Sequence, residues 1–499
     1  MAVIPNGFEG QMPKGLELLN MGKVRNTFVL PDHPDKLLMV ATDRISIYDF
    51  VLPAFVGQKG AILTAMNVFW RQFYGDQFRH DLVAHGAAID EFLPEALRRN
   101  RELQAVATVI QKYGMIPVEA IVRGYLTGSS VKPYLSNGVV CGHRLPPGLH
   151  DGYELPYPLF TPTTKASVGH DEHISADSVA QEYGVWLERL ALQAYMMARQ
   201  YAIGRGIILV DTKFEMAKSI LADELLTPDS SRYWGHQAWV EAQKNGELPP
   251  SFDKQYVREW GKTVGIDKLT DPDDPNQIAT VHGLTVPQDV LDMTTKIYRY
   301  IFWRLVGQKL EHFQKDVMGI DREMPKVNVD IVLGSQSDFT KLVDLFNYGD
   351  HIASWHPFAA FFKNVKSHRI HIISCHRNPD ELRQYAESLS DVDVIVAGAG
   401  LAAQLPGVLK AWLDHYGKSV PVIGVGFPGP NEEANTAACL SIEQLPGQPV
   451  ELNGEGKAYF GKEGFKAALI QAVLGEFLPK KNVPKPAELN VLFSLEQFS

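Results

Sequence analysis

Apolar and polar positions follow different patterns in the two parts of the chain, and the change falls near residue 318. In the first part, GKVRNTFVL and DKLLMVAT are apolar runs on either side of PDHPD, which is typical of a β-hairpin. VAQEYGVWLERLALQAYMMARQYA has the apolar spacing of one long amphipathic helix. Strand and helix patterns mix without regular alternation here, so the first part is predicted to be an α+β domain.

The second part contains short apolar runs separated by helical stretches. These runs are VNVDIVLG, RIHIIS, VDVIVAG and VPVIGVG. Strands that alternate with helices indicate parallel βαβ units, so this part is predicted to be a three-layer α/β sandwich with a doubly wound parallel sheet. GKAYFGKEGF, near its end, is interpreted as an insertion.

Segments that contain glycine, proline and several charged residues mark the predicted domain boundaries. One helix is predicted over residues 294–317, and the charged segment MGIDREMPK that follows is predicted to be a linker. The predicted organisation is a first domain at 1–317, the linker at 318–326, a second domain at 327–479 and a docking tail at 480–499.

Composition excludes several functional classes. The chain has 499 residues and is 45% hydrophobic, with 48 Lys and Arg against 58 Asp and Glu, a net charge of −10. Acidic charge argues against nucleic acid or a membrane as a partner, so local basic residues must hold any anionic ligand. Three cysteines without metal-ligand spacing favour neither a disulfide framework nor a zinc site. With no signal peptide or long apolar run, a cytoplasmic protein is expected.

The segment GIILVDTKFEM carries candidate chemistry in the first part. A strand here places Asp211, Lys213 and Glu215 on one face, and a turn near residues 217–218 brings Asp223 beside Glu215. Two carboxylates can hold Mg²⁺ together with nucleotide phosphate oxygens, and Lys213 would then lie close to phosphate. A strand that alternates charges as it emerges into solvent is the other interpretation of this pattern.

Two further segments offer groups for anions. LTPDSSRYW places Asp229, Ser230, Ser231 and Arg232 in a turn with hydroxyl and guanidinium donors, although a plain surface turn has the same composition. In GKVRNTF, Gly22 allows the backbone to approach a phosphate that Lys23 can bind.

Glycine and small polar residues follow the predicted strands of the second part, in GSQSD, SCHRNPDE, AGAGLAAQLPG and GVGFPGP. Ligands of open parallel sheets bind beyond these carboxyl ends. His376 precedes the start of a helix, whose dipole favours a neutral imidazole ready to accept a proton, but a lone histidine can also be structural. GAGLAA fits a dinucleotide motif only weakly, because the next strand ends in Gly, Phe and Pro rather than an acidic residue.

Taken together and in order, the segments of the first part closely resemble the SAICAR synthase family. These enzymes use ATP to join aspartate to carboxyaminoimidazole ribonucleotide in purine biosynthesis. The resemblance runs from GKVRNTFVL through ATDRISIYDFVLP, GQKGAILT, MIPVEAIVRGYLTGSS, PLFTPTTKASVGHDEHIS, GIILVDTKFE and DELLTPDSSRYW to FDKQYVREW, over about residues 15–305. It implies an ATP-grasp-like α+β fold with ATP and Mg²⁺ as cofactors.

The resemblance also implies residue roles. Catalytic roles fall to Lys213 and Asp229, and Mg²⁺ would be held by Glu215 and Asp223. The nucleotide cofactor would be bound by Gly22, Lys23, Glu119, Lys165, Asp211 and Lys213. The imidazole nucleotide would be bound by Arg44, Ser46, Asp49 and Lys59, and its ribose phosphate by Arg123, Ser129 and Arg232.

The second part resembles the AIR carboxylase family, which is flavodoxin-like and acts one step earlier in the same pathway, over about residues 327–475. The likeness favours the bacterial-type branch, which moves a carboxylate from the ring amine to the ring carbon. It implies His376 as the proton-transfer residue and a homo-octamer built through this domain. The substrate would be bound by Ser335, Ser337, Asp338, Ser374, Arg377 and Gly400. Gln404 and Cys375 depart from the histidine and alanine usual in the family.

The resulting hypothesis is a bifunctional enzyme of purine biosynthesis that carboxylates the imidazole ring and then ligates aspartate to it. Its small-molecule partners would be aminoimidazole ribonucleotides, aspartate, and bicarbonate or carbon dioxide. The alternative is a monofunctional SAICAR synthase whose second domain is a noncatalytic oligomerisation module, since a glutamine at 404 cannot titrate.

Overall fold

A computed structural model describes residues 3–7, 12–165, 172–346, 359–445 and 447–480. The chain divides into two units, Met1–Met324 and Pro325–Ser499. Most of the predicted tail, residues 481–499, lies outside the described residues, as does part of the SWHPFAAFFKNVKSHR segment, at 354–358.

The described part of the first unit contains two sheets and two separate two-stranded pairs. The strands are β1 (Leu18–Met21), β2 (Arg25–Val29), β3 (Lys36–Ala41), β4 (Arg44–Ile47), β5 (Phe50–Phe55), β6 (Leu82–His85), β7 (Ala107–Gln111), β8 (Val118–Leu126), β9 (Val139–Val140), β10 (His143–Arg144), β11 (Tyr153–Phe160), β12 (Thr163–Thr164), β13 (Ile207–Ala217), β14 (Ile220–Ala222) and β15 (Ser231–Gly235). One sheet has the order β1-β2-β3-β7-β6. A second has the order β11-β8-β13-β14, with β12 on β8 and β15 on β13, while β4–β5 and β9–β10 pair separately.

The helices of the first unit pack against these sheets. They are α1 (Lys59–Tyr74), α2 (Arg101–Val106), α3 (Val131–Asn137), α4 (Ala176–Tyr183), α5 (Trp186–Ile203), α6 (His236–Lys244), α7 (Gln255–Thr263), α8 (Pro275–His282), α9 (Gln288–Val306) and α10 (Leu310–Asp316). Short 3₁₀ turns occupy Gly75–Gln77, Gly86–Phe92, Glu95–Leu97, Gly128–Ser130 and Ile266–Lys268. This mixture confirms the predicted α+β class.

The predicted hairpin around PDHPD is confirmed, because β2 and β3 pair antiparallel with Thr27 opposite Met39. Two predicted single helices are wrong. The first is divided into α4 and α5 at Gly184, whose φ of 94° only glycine adopts readily. The second is divided into α9 and α10 at Gly307, which ends α9 with a φ of 83°.

The second unit alternates strands and helices. Its elements are β16 (Val327–Leu333), α11 (Gln336–Thr340), α12 (Val343–Phe346), α13 (Ala359–Asn364), β17 (Val365–Ile372), α14 (Pro379–Ser388), β18 (Val394–Gly400), α15 (Leu405–His415), β19 (Val422–Phe427), α16 (Glu432–Glu443), β20 (Tyr459–Phe460) and α17 (Gly461–Leu474). All five strands are parallel, in the order β17-β16-β18-β19-β20. This is the order of flavodoxin-like folds.

Successive residues of the central strands point to opposite faces of this sheet. Val396 packs in one core with Phe465 and Leu469 of α17, whereas Ile395 packs in another with Leu382 and Leu409 of α14 and α15. Helices therefore cover both faces, and the predicted three-layer sandwich is confirmed.

Two segments that the sequence analysis set apart pack against their units. In the segment predicted as a linker, Met318 and Ile320 are buried, and the Ala87 amide donates to the Met318 carbonyl at 2.8 Å. The first part of that segment thus belongs to the first unit. GKAYFGKEGF, interpreted from the sequence as an insertion, contains β20, the edge strand, and begins the buried helix α17, so it is part of the packed second unit.

Candidate active sites

An open cleft of about 680 Å³ lies in the first unit between the β1–β2 hairpin and the charged face of β8 and β13. Nine predicted site residues line it: Gly22, Lys23, Ser46, Asp49, Glu119, Lys165, Lys213, Glu215 and Asp223. Asp229 also lines it, whereas the predicted residues Arg44, Lys59, Arg123, Ser129, Asp211 and Arg232 do not belong to its described lining.

The charged face is built by the pairing of β8 with β13. Asp211 lies opposite Arg123 and Lys213 opposite Ile121, so alternate residues of these strands share one face. Lys213 contacts Glu119, and its Nζ lies 4.0 Å from Glu215 Oε1. Burial opposes the charge of Lys213, but the two glutamates outweigh it and raise the pKa of the lysine. The predicted common face of Asp211, Lys213 and Glu215 is confirmed.

Glu215 and Asp223 lie at the end of the β13–β14 hairpin that is remote from its turn. Glu215 lies opposite Ala222 in the register, so Asp223 follows directly after the end of β14, as the predicted turn requires. Burial raises the pKa of Asp223 against the charge of Arg25, and nearby Glu215 raises it further. Burial thus disfavours the charge of Asp223, and a cation between the two carboxylates would stabilise it.

Basic side chains form ion pairs with both carboxylates in the structure. Asp223 Oδ2 lies 2.8 Å from Arg25 Nη2, and Lys165 contacts Glu215. Among the described residues, no three His, Cys, Asp or Glu side chains are grouped to hold a metal ion. A metal held by Glu215 and Asp223 would therefore need additional ligands from water or from a bound phosphate.

Arg44 supports the turn of the β1–β2 hairpin, which begins with Gly22. The Gly22 amide donates to the Arg25 carbonyl at 2.7 Å, and a Cβ at Gly22 would lie only 3.0 Å from that oxygen. Arg44 is fully buried and donates to the carbonyls of Gly22 and Lys23 at 2.8 and 3.1 Å. Arg44 thus supports the hairpin from outside the described cleft lining, which differs from its predicted contact with substrate.

Asp229 lies at the inner end of the cleft and is held on both oxygens. Lys59 Nζ donates to Oδ2 at 2.6 Å and Tyr298 Oη donates to Oδ1 at 2.7 Å. Burial alone would raise the pKa of Asp229, but Lys59 and Lys254 lower it to about 2. Asp229 is therefore a fixed anion and not a group that accepts a proton near neutral pH.

Arg123, Ser129, Asp211 and Arg232 form a separate cluster at the end of β8. Asp211 Oδ2 lies 2.7 Å from Arg123 Nη1 and 3.8 Å from Arg232 Nη1, while Arg123 Nη2 donates to Ser129 Oγ at 2.9 Å. One carboxylate thus orients two guanidinium groups, an arrangement suited to an oxyanion such as phosphate. Asp211, predicted to contact the nucleotide cofactor, is placed here instead.

Several cleft residues were missed by the sequence analysis. Leu37, Met39 and Ile110 form an apolar part of the lining, and Lys254 adds a cation. The alternation of the hairpin sequence could have identified Met39, which lies opposite Thr27. Arg25 contacts Asp223 across 198 positions of sequence, so no local pattern indicates that pairing.

In the second unit the predicted residues meet at the carboxyl ends of β16, β17 and β18. Ser335 Oγ caps α11 and donates to Asp338 Oδ2 at 2.6 Å, and it lies 2.8 Å from Ser337 Oγ. Gly400 approaches the same carboxylate, since a Cβ on it would lie 3.7 Å from Asp338 Oδ1. Asp338 is buried, whereas Ser337 is exposed.

The second loop lies beside the first. Ser374 Oγ accepts from the Arg377 amide at 3.2 Å, and Arg377 Nη2 donates to the Gly334 carbonyl at 2.9 Å. His376 is exposed and lies three residues before Pro379, where α14 begins, which agrees with its predicted position just ahead of a helix. Gln404 is also exposed and precedes α15.

Leu401 has an unusual position in the third loop. Its φ is 57°, a left-handed conformation that is unfavourable for leucine, and its side chain is 59% exposed. The apolar side chain therefore projects from the rim of the strand ends instead of packing in the core.

Comparison with known proteins agrees with this geometry. The family profile described as "SAICAR synthetase" matches residues 18–271, and the profile described as "AIR carboxylase" matches residues 328–459. The phosphoribosylaminoimidazole-succinocarboxamide synthase of Maridesulfovibrio salexigens is 42% identical over 278 residues, which cover 54% of this chain and 90% of that protein. The enzyme of the same name from Saccharomyces cerevisiae is 38% identical over 328 residues, which cover 62% and 100%.

A solved structure, "SAICAR-synthase from Saccharomyces cerevisiae complexed SAICAR", is 36% identical, with a TM-score of 0.52, and the match covers 61% of this chain and 99% of that one. The first unit thus has the fold of a ligase. The chain belongs to the SAICAR synthetase family, and it carries an AIR carboxylase domain in its second unit. No helix among the described residues is long and apolar enough to span a membrane.

Proposed function

We propose that the first unit uses ATP and Mg²⁺ to join aspartate to carboxyaminoimidazole ribonucleotide, and that the second unit forms that carboxylated nucleotide. The observation that supports this most directly is the cleft of about 680 Å³, in which lysines and carboxylates alternate across β8 and β13. ATP, a nucleotide and aspartate are all anions, so a site that holds them together needs such interleaved charge.

ATP would lie along the hairpin. Its phosphates would meet the backbone at Gly22 and the side chain of Lys23, which is exposed and close to Asp49. Its base would rest on the apolar part of the cleft formed by Leu37, Met39 and Ile110. Glu119, Lys165 and Lys213 would complete the phosphate end. An apolar pocket next to a cationic end fits a purine nucleotide.

Glu215 and Asp223 would hold Mg²⁺, because Glu215 is buried, Asp223 is half-buried and both line the cleft. The ion would neutralise phosphate charge during transfer. Arg25 and Lys165, which pair with these carboxylates in the structure, would then turn toward the phosphates.

The imidazole nucleotide would lie between the charged face and the guanidinium cluster. Arg123, Ser129 and Arg232 would bind its phosphate, since Asp211 holds the two guanidinium groups in place. Ser46 and Asp49 would face its ring. Lys59 and Asp229 would support that end as a fixed ion pair. The solved yeast relative is complexed with SAICAR, which agrees with a nucleotide of this kind.

The chemistry explains the charge. A carboxylate is a poor electrophile, so its oxygen first attacks the γ-phosphorus of ATP, forming an acyl phosphate and releasing ADP. The amine of aspartate then forms the C–N bond as the bond to phosphate breaks. No protein nucleophile is required. Positioning and charge stabilisation by residues such as Lys213 supply the catalysis.

In the second unit, His376 would move the proton that the ring carbon exchanges during carboxylation. Ser335, Ser337 and Asp338 would bind the nucleotide, with Ser374, Arg377 and Gly400 around its phosphate. The convergence of Gly334, Ser335 and Arg377 at one loop cluster supports this role. Gln404 can still donate a hydrogen bond at its position, although it cannot titrate.

The ligase assignment is tested by ADP formation in purified protein with Mg²⁺, aspartate and carboxyaminoimidazole ribonucleotide. Glu215→Gln and Asp223→Asn should lower turnover by orders of magnitude while thermal unfolding changes little. Glu259→Gln, on an exposed helix surface, is the control and should keep wild-type turnover. Near-normal activity in either cleft variant would reject the metal assignment.

The second assignment is tested by following ring carboxylation, with either the N-carboxylated isomer or aminoimidazole ribonucleotide plus bicarbonate. We expect activity in the native chain and a loss of about 10²–10⁴-fold in His376→Asn, the usual contribution of general acid–base catalysis. Gln404→His tests the departure from the family. Equal background rates in native protein and His376→Asn would favour a noncatalytic oligomerisation module.

A further inference from the structure

Lys254 lies on the inner wall of the cleft, immediately before α7. The turn that carries it is rigid, because the buried carboxylate of Asp253 accepts from the Gln255 amide at 2.7 Å and from the Tyr233 amide at 3.4 Å. The backbone on both sides of Lys254 is thus fixed, while its side chain reaches the cleft. A group that is held in this way is prepared for contact with a ligand.

The carboxylates around Lys254 are already engaged. Those that line the cleft and pair with a lysine or arginine are Asp49, Asp81, Glu119, Glu215, Asp223, Glu224 and Asp229. Within the described part of the chain, neither a hydrogen bond nor an ion pair at salt-bridge distance engages Lys254 Nζ. Lys254 is therefore available to a ligand in a region where the acidic groups are not.

Four charged groups act on Lys254: Glu224 and Asp229 from the loop between β14 and β15, Lys59 from α1 and Arg258 from α7. Burial lowers its pKa to about 8; Asp229 opposes this shift, as does Glu224, whereas Arg258 and Lys59 add to it. A lysine in this environment is partly neutral near pH 8 and so has a lone pair for a proton. Asp229, with its pKa of about 2, cannot take that role.

The ligation requires such a group. Aspartate arrives with a protonated α-amine, which has no lone pair and cannot attack a carbonyl carbon. We propose that Lys254 is the general base that takes a proton from the α-ammonium of aspartate before amide formation. This inference rests on the proposed ligase function of the first unit and adds a catalytic residue to it.

Protons and electron pairs are conserved in this step. The neutral Lys254 amine accepts one proton from the α-ammonium, and the free amine attacks the acyl phosphate carbon. The C–N bond forms, the bond between the same carbon and the bridging oxygen of the acyl phosphate breaks, and phosphate leaves with that electron pair. The second nitrogen proton departs with the phosphate, which leaves as the monohydrogen anion. Lys254 then returns its proton to solvent through the open cleft.

The test compares two nucleophiles in the full-length protein. Hydroxylamine is neutral at pH 7 and needs no base, so it can trap the acyl phosphate directly. In Lys254→Met, aspartate-dependent ADP formation should fall by about 10²–10⁴-fold, and the hydroxylamine-dependent rate by much less. Lys254→Arg should be equally defective with aspartate, because arginine keeps its proton. Wild-type kcat with aspartate should rise with pH through about 8.

Three outcomes would overturn the inference. Substantial activity of Lys254→Arg with aspartate would show that a positive charge suffices. Equal losses with both nucleophiles would indicate a role in acyl phosphate formation. A loss in His282→Asn but not in Lys254→Met would assign the base to His282, which also lines the cleft. If wild-type protein makes no ADP with either nucleophile, the ligase proposal itself fails.

Discussion

Lys59 and Asp229 form an ion pair with almost no exposure to solvent, and Tyr298 completes it. Removal of one partner leaves a buried charge alone, which costs about 3–5 kcal/mol in other proteins. We expect Lys59→Met and Asp229→Asn each to lower the free energy of unfolding by about that amount. Urea denaturation measures it. Lys262→Met, which breaks an exposed pair with Glu259, should cost less than about 1 kcal/mol.

The same carboxylate predicts a dependence of stability on acid. The pKa of Asp229 is lowered from 3.8 to about 2 in the folded chain, so its ionised form stabilises the fold above the unfolded pKa. This contribution should disappear as the pH falls from about 4 to about 2. Thermal unfolding of native protein and of Asp229→Asn should therefore converge over that interval. A difference in Tm that stays constant down to pH 2 would contradict the assignment.

At the scale of elements, sequence periodicity predicted what local patterns control. The β2–β3 hairpin and the βαβ units follow from alternation and turn residues. The division of α4 from α5 could not be predicted from apolar spacing, because the spacing continues through Gly184 while its backbone turns away from the helix. The same holds for Gly307 between α9 and α10.

Gly128 begins the 3₁₀ turn that follows β8 and lies against Arg232. Its φ is 63°, and a Cβ would lie 2.9 Å from Arg232 Nη2 in the guanidinium cluster. Gly128→Ala should therefore raise KM for the imidazole nucleotide in addition to destabilising the turn by about 1 kcal/mol. Gly138→Ala is the matched control, with φ of 71° and no atom within 4 Å. Gly138→Ala should show the same loss of stability without the change in KM. If the two variants have equal KM values for the imidazole nucleotide, Arg232 does not contribute to binding that substrate.

For the whole molecule, the sequence predicted which residues carry charge but not which charges pair. Asp211, Lys213 and Glu215 were placed correctly on one face because a strand has a period of two. In the structure Arg44 contacts carbonyls of the β1–β2 hairpin, and Asp211 contacts the guanidinium cluster. Both contacts depend on elements other than the residue's own. Long-range pairing of this kind is decided by the fold, so local spacing contains no signal for it.

The last prediction concerns assembly of the second unit, for which a homo-octamer remains our proposal. Its strand ends carry exposed His376, Arg377 and Gln404, and Leu401 projects from their rim in a strained conformation. A pocket open on this side becomes enclosed if a neighbouring copy covers it, and burial of Leu401 would then offset its backbone strain.

We expect light scattering at micromolar concentration to give the mass of an octamer, both for the full chain and for residues 325–499. Leu401→Asp should weaken assembly and lower ring carboxylation together, because the same surface would close the site. Aspartate-dependent ADP formation by the first unit should persist in this variant, which separates loss of assembly from general unfolding. A monomeric full chain with full carboxylation activity would show that one copy completes the site by itself.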